Sequence, residues 1–115
     1  NPSLEAGRET FERVQAAGVT AVIAYNDLMA IGFMQEAVSR GVNIPTDLSI
    51  IGFDNIFGSD FTSPSLTTVA MPLTQTGDLA IETILALINK LDQTVKPANE
   101  LKTSLILRNS TGVKK

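Results

Sequence analysis

Residues 21–55 read AVIAYNDLMAIGFMQEAVSRGVNIPTDLSIIGFDN, and the order of elements in that stretch decides the fold. Ala21–Tyr25 is a short unbroken apolar run, the pattern of a strand buried on both faces, as parallel strands in α/β folds are. From Leu28 to Arg40 the apolar residues Leu28, Ile31, Met34, Ala37 and Val38 recur at helical spacing, and Gly41 falls just past the end, where a C′ glycine belongs. A turn through Ile44-Pro45-Thr46-Asp47 leads into a second apolar run, Leu48–Phe53. Strand, helix and strand within about 33 residues make a βαβ unit, which is right-handed in nearly all cases.

Outward from this unit the pattern continues. Leu4–Ala17 reads as a helix with Leu4, Phe11 and Val14 on one side, Ser3 as N-cap and Gly18 as C′ residue. On the other flank, residues 54–64 are polar and aromatic, a loop or short helix of a length that is often functional. Leu66–Ala70, rich in β-branched residues, is a third strand, and Pro72 separates it from a helix expected over Thr76–Leu91. That helix carries Ala80, Ile84, Leu87, Ile88 and Leu91 on one face, with Ile81 and Leu85 widening the stripe, so the face must be covered. A loop over Val95–Asn99, a last strand over Thr103–Leu107 and a polar, frayed tail over Ser110–Lys115 complete the chain. The fold class expected is α/β, a three-layer α-β-α arrangement about a mainly parallel sheet.

Composition narrows the function. The 115 residues are 43% hydrophobic and 18% charged, values of a folded domain or part of one. With 9 Lys and Arg against 12 Asp and Glu, the net charge of −3 argues against this stretch gripping a phosphate backbone; any DNA contact belongs to another segment. No apolar run approaches the roughly 18 to 20 residues of a membrane span, and no basic-then-apolar leader opens the chain. The start at Asn1 rather than Met suggests a cut fragment, whose absent N-terminal half would hold the address and main activity.

In open α/β sheets ligands bind beyond the carboxyl ends of the strands. Asn26 and Asp27 close the first strand, and Asp54 and Asn55 close the second. If those strands are parallel, all four side chains hang over one edge and offer carboxylate acceptors and amide donors, a set suited to a polyhydroxylated or amide-rich small molecule. For Asp27 an N-cap is as good a reading as a ligand contact, because carboxylates favour a helix start; Asn26 and Asp54 lean towards function by position. Asp60 reads as a solvated loop charge and Arg108 equally as a surface ion-pair residue, while Phe53, Phe57 and Phe61 read as core or interface. With no His and no Cys, a catalytic triad, a thiol nucleophile and a His- or Cys-ligated zinc are excluded. No phosphate-binding glycine loop occurs. A phosphoryl-accepting Asp54 with Mg²⁺ is a distant rival, since it wants a Lys just after a later strand and Lys90 and Lys102 sit elsewhere.

Four ordered blocks carry a family resemblance. Residues 24–32, AYNDLMAIG, resemble the strand-to-helix signature of lac and gal repressor regulators, and residues 41–55, GVNIPTDLSIIGFDN, are similar to that family's turn and second strand. Residues 63–69, SPSLTTV, resemble its P-x-L-T-T strand. Gly77 with Ala80, and Leu107-Arg108-Asn109-Ser110-Thr111, resemble its next helix and closing strand, although Leu107 directly before Arg108 departs slightly from the family's spacing. The resemblance implies the C-terminal lobe of a type I periplasmic-binding-protein-like effector domain, residues 1–115, preceded in the whole protein by a helix-turn-helix headpiece. By the same likeness Asn26 and Asp54 would contact the effector, a sugar or nucleobase-like molecule, with Asp27 as orienting or direct contact. Dimerisation would involve Ile31, Met34, Gln35 and Phe61. Residues 73–95 would pack on the absent N-terminal lobe, so the chain alone should associate, by exchange of that helix or otherwise. Neither cofactor nor metal nor enzymatic activity is expected, and the location would be cytoplasmic. An extracytoplasmic sugar-binding protein of the same fold is the alternative.

Overall fold

The computed structural model describes residues 1–89 and 100–113. Its elements are α1 (Leu4–Glu9), α2 (Phe11–Ala16), β1 (Ala21–Ile23), α3 (Asp27–Ser39), β2 (Ser49–Phe53), β3 (Thr67–Ala70), α4 (Leu73–Ile88) and β4 (Ser104–Ile106). The chain divides into two compact units, one formed by Asn1–Ala70 with the chain from Leu105 onward, the other by the stretch between Met71 and Ser104.

The expected βαβ unit is present, with β1 and β2 parallel and Ile23 opposite Ile51. β2 also pairs in parallel with β3, which sets Ile51 opposite Thr67 and Phe53 opposite Val69, in a sheet of order β1-β2-β3-β4. α3 ends as its glycine predicts, with Gly41 at φ +80° just beyond the C-cap Arg40. Its core stripe is Ala30, Phe33, Met34 and Ala37, with Ile31 8% exposed, and this packs with Phe11, Leu48, Ile50 and Leu66 into one apolar cluster. Leu28 and Val38, expected in that stripe, are exposed. Helix α3 is apolar nearly all round, so spacing alone identifies a helix without saying which side is covered.

The Leu4–Ala17 segment is two short helices. At the junction the Thr10 N–H and hydroxyl both bond back to the Gly7 carbonyl, at 3.3 and 2.7 Å, a local competitor to the regular helical ladder. α1 crosses α3 at very close range: a Cβ on Gly32 would overlap the Leu4 carbonyl, and one on Gly7 the Met29 carbonyl.

Two expectations need correction. β1 is not buried on both faces. Val22 and Ala24 pack on the core, but Ile23 and Tyr25 are 73% and 75% exposed, because in the first unit the helical core covers one face of the sheet and β1 lies at its edge. Of the three layers expected, this unit supplies two. The C-terminal stretch is not a frayed tail at Ser110 either. Ser110 is fully buried between the starting ends of β2 and β3. Its Oγ donates to the Ile50 carbonyl and accepts from the Thr67 N–H, while its carbonyl accepts from the Ile50 N–H at 2.8 Å. Thr111 Oγ1 meets Thr67 Oγ1 at 3.0 Å, and the Gly112 N–H donates to Ser49 Oγ. The segment closes the gap where the two strands separate, a role that a polar sequence hides.

In the second unit α4 begins at Leu73, three residues before the expected Thr76, with Pro72 as N-cap and Asn89 as C-cap. None of its side chains is buried, and Ile81, Ile84, Leu85, Leu87 and Ile88 are each more than half exposed. Lys90, Leu91 and the Val95–Asn99 loop lie outside the described residues.

Candidate functional site at the carboxyl edge of the sheet

β1 and β2 are parallel, with Ile23 opposite Ile51, so Asn26 and Asp54 both follow the carboxyl ends of adjacent strands. The sequence therefore brings its two leading site candidates together by strand pairing alone. Asn26 is the N-cap of α3: its Oδ1 accepts from the Met29 N–H at 3.0 Å. That bond fixes the side chain at the edge and leaves its amide nitrogen with no hydrogen bond among the described residues. Asp54 is exposed, and its N–H donates to the Val69 carbonyl at 2.9 Å. Its φ is +103° and that of Asn55 is +51°, two successive non-glycine residues in a region L side chains rarely adopt. Strain of this kind persists only where surrounding bonds hold it, and it clusters at binding sites.

Those bonds centre on Asp27. The residue is fully buried, and its carboxylate accepts from three groups of its own chain. Thr68 Oγ1 donates to Oδ1 at 2.6 Å; Ser59 Oγ and the Ile56 N–H donate to Oδ2 at 2.5 and 3.0 Å. Asp27 thus neither caps the helix, a task done by Asn26, nor offers oxygen at the surface. A carboxylate with no exposed surface presents nothing at the edge, which favours the orienting alternative read from the sequence over direct contact. Room for it comes from Gly52, where a Cβ would overlap Asp27 Oδ1. This explains why glycine precedes the aromatic residue and aspartate in the second block.

Thr67 and Thr68 divide their labour by strand alternation. Thr68 points to the helical side and joins Asp27 and the Asn55 N–H, while Thr67 binds the closing segment on the other side. Leu66 between loop and strand is fully buried, and its N–H donates to the Ser59 carbonyl at 2.7 Å. Ser59, Thr68 and Arg108 belong to the site's support and were not singled out as such from sequence. The alternation within Leu66-Thr67-Thr68 was the available signal, but Asp27 lies 32 residues from Ser59 and 41 from Thr68, and Arg108 lies 42 from Leu66 and 53 from Asn55. Arg108, for which a surface ion pair was one open reading, donates to the Asn55 side-chain oxygen and the Leu66 carbonyl.

Of the residues expected at a dimer interface, Ile31 and Met34 belong mainly to the chain's own core, with 8% and 3% exposed. With Gln35, Val38, Ser39, Thr62 and Ser63 they line an open groove of about 340 Å³. Gln35 Oε1 accepts from Arg8. Phe61 is 70% exposed and meets Phe57, 93% exposed, edge to face at 5.1 Å, so neither is core. A separate groove of about 390 Å³ lies at the opposite, amino-terminal edge of the strands, lined among others by Thr20, Thr46, Ser49 and Thr111. It holds none of the candidate residues, and its position away from the strands' carboxyl ends argues against it as the main site.

A parallel sheet with polar residues presented beyond its carboxyl ends is the arrangement of a small-molecule-binding lobe. The chain belongs to the periplasmic binding protein-like domain family, whose family model matches residues 2–111. Its likeness runs to transcription regulators of the lac repressor type. It is 38% identical over 91 residues to the HTH-type transcriptional repressor PurR of Vibrio parahaemolyticus, covering 79% of this chain and 27% of that protein. Among solved structures it superposes on the transcription regulator CcpA of Lactococcus lactis with a TM-score of 0.90 at 29% identity, over 97% of this chain and 41% of that one. A LacI family transcriptional regulator from Enterococcus faecium with bound ribose matches with a TM-score of 0.85 at 30% identity, over 98% and 42%. The chain therefore spans between about a quarter and two fifths of the length of these relatives. Among the described residues no helix is long and apolar enough to cross a membrane.

Proposed function

We propose that this chain is the effector-sensing and dimerising part of a cytoplasmic transcriptional regulator. In this reading it binds a polyhydroxylated small molecule, a sugar, at the carboxyl edge of β1 and β2. Asn26 and Asp54 are the contacts, and Asp27 braces them from inside. The observation that carries the reading is the pair of positive-φ residues Asp54 and Asn55, held at that edge by bonds from β3 and from the Asp27 network. A carboxylate accepts two hydroxyls of a sugar at once, and an amide nitrogen donates to a third. The relative with bound ribose supports that ligand class, and the HTH-type relatives favour a regulator over an extracytoplasmic binding protein.

Operator DNA would be held by a helix-turn-helix segment outside this acidic stretch. The effector would act by stabilising one arrangement of two lobes and, through a homodimer contacting around Gln35, Val38 and Phe61, shift DNA affinity. Residues 73–95 would pack on the other lobe. No catalytic step is assigned.

A thermal-shift screen of the full-length protein against pentoses, hexoses, disaccharides, nucleosides and purines tests the reading. A ligand at about 100 times its dissociation constant adds roughly 2.7 kcal/mol, a rise of several degrees, and Asp54→Ala should abolish it. No response from any class, with the variant behaving as the wild type, would mean that the edge is not a small-molecule site.

A further inference from the structure

The strained turn at Asp54–Asn55 has a support that comes from the far end of the sequence. The Asn55 N–H bond to Thr68 Oγ1 is long, 3.3 Å, and secures only the backbone. The Asn55 side chain is secured by Arg108, whose Nη2 donates to Asn55 Oδ1 at 2.7 Å. The other arm of the same guanidinium, Nη1, donates to the Leu66 carbonyl at 2.7 Å, and the Arg108 backbone N–H donates to Thr67 Oγ1 at 3.0 Å. Arg108 is thus anchored twice, at Leu66 just before β3 and at Thr67, the first residue of β3. A planar fork makes that two-pronged contact, and a lysine ammonium, a point donor on a flexible stem, does not reproduce it. Bonds from a charged donor are about twice as strong as neutral ones. Among the described residues this half-buried arginine bonds only neutral oxygens, at a place where two adjacent residues hold unfavourable φ, so it is spent on geometry rather than on charge neutralisation.

We infer that Arg108 is a positioning residue of the carboxyl-edge site: acting through Asn55, it holds the Asp54 backbone in the conformation that presents the carboxylate. This rests on the reading of Asp54 as an effector contact. Arg108 itself touches no effector. Asn55→Asp keeps the acceptor and adds charge, so it should rescue a shorter-reaching donor.

The test uses the full-length protein with Arg108→Met, Arg108→Lys, Asn55→Asp and the Arg108→Lys/Asn55→Asp pair. Hydrogen exchange of the backbone amides of residues 54–56 is measured without ligand, and D-ribose affinity is measured by calorimetry. Arg108→Met should speed exchange at Asp54 and Asn55 about tenfold, leave the Ile50 and Ala30 amides unchanged, and weaken ribose binding about tenfold, a loss in line with one charge-assisted bond. Arg108→Lys should show a milder form of both effects, and the double variant should recover most of each. Unchanged exchange at Asp54 and Asn55 in the folded Arg108→Met protein, or no recovery in the double variant, overturns the proposal. So does undiminished ribose affinity in Arg108→Met when Asp54→Ala abolishes that affinity. Ribose binding that survives Asp54→Ala overturns the effector reading instead, and the exchange data, which need no ligand, tell the two failures apart.

Discussion

Asp27 has three hydrogen-bond donors and no solvent, and this makes its charge state and shape matter more than its exposure to any ligand. Asparagine in its place keeps the shape but turns one acceptor into a donor, so either the Ile56 N–H with Ser59 Oγ or Thr68 Oγ1 loses its partner. Leaving such a buried group unsatisfied costs about 1–3 kcal/mol, and each kcal/mol lowers the melting temperature by about 4–8 °C in a domain of this size. Asp27→Asn should therefore melt roughly 5–20 °C below wild type, with faster exchange over residues 55–59; a melting point unchanged within a degree would contradict the network. At this scale the sequence placed Asn26, Asp27 and Asp54 at one sheet edge correctly, since βαβ topology and strand ends suffice for that. It offered Asp27 as the helix cap, whereas the cap is Asn26. That choice depends on Ser59 and Thr68, which folding brings to Asp27 from 32 and 41 residues away.

At the scale of elements, the crossing of α1 on α3 is set by two glycines rather than by interdigitating side chains. The Leu4 carbonyl sits where a Cβ of Gly32 would be, and the Met29 carbonyl where that of Gly7 would be. Backbone cannot swing aside as a side chain does. Gly32→Ala should consequently cost about 1–3 kcal/mol or more through overpacking, although alanine is the better helix former by about 1 kcal/mol. Chemical denaturation reads this directly, and a variant as stable as wild type would show that the helices separate freely. Helix periods and apolar runs made each described strand, α3 and α4 recognisable and read α1 and α2 as one helix, because those signals are local. The exposed face of β1, the break at Thr10 and the burial of Ser110 were not legible. Each depends on what a neighbouring element does or does not cover, and Ser110 in particular is buried for its hydroxyl's two bonds rather than for apolarity.

For the whole molecule, α4 and the β1 edge each expose several large apolar side chains, the kind of surface that marks an interaction site where it is contiguous. The 115-residue chain on its own should sediment as a species larger than a monomer at tens of micromolar, and a clean monomer there would count against those faces being interfaces. In the proposed reading the function is a property of this larger scale, with a second lobe completing the pocket. The contribution proposed for this chain is the edge at Asn26 and Asp54. Calorimetric titration of the full-length protein with the sugar that raises its melting temperature tests that contribution most directly. Wild type should be compared with Asn26→Ala, Asp54→Ala and Thr46→Ala, the last altering the amino-edge groove. The account predicts that Asn26→Ala and Asp54→Ala each weaken binding about tenfold or more while Thr46→Ala leaves it unchanged. Binding lost in Thr46→Ala and kept in Asp54→Ala would place the effector at the opposite edge of the sheet and contradict it.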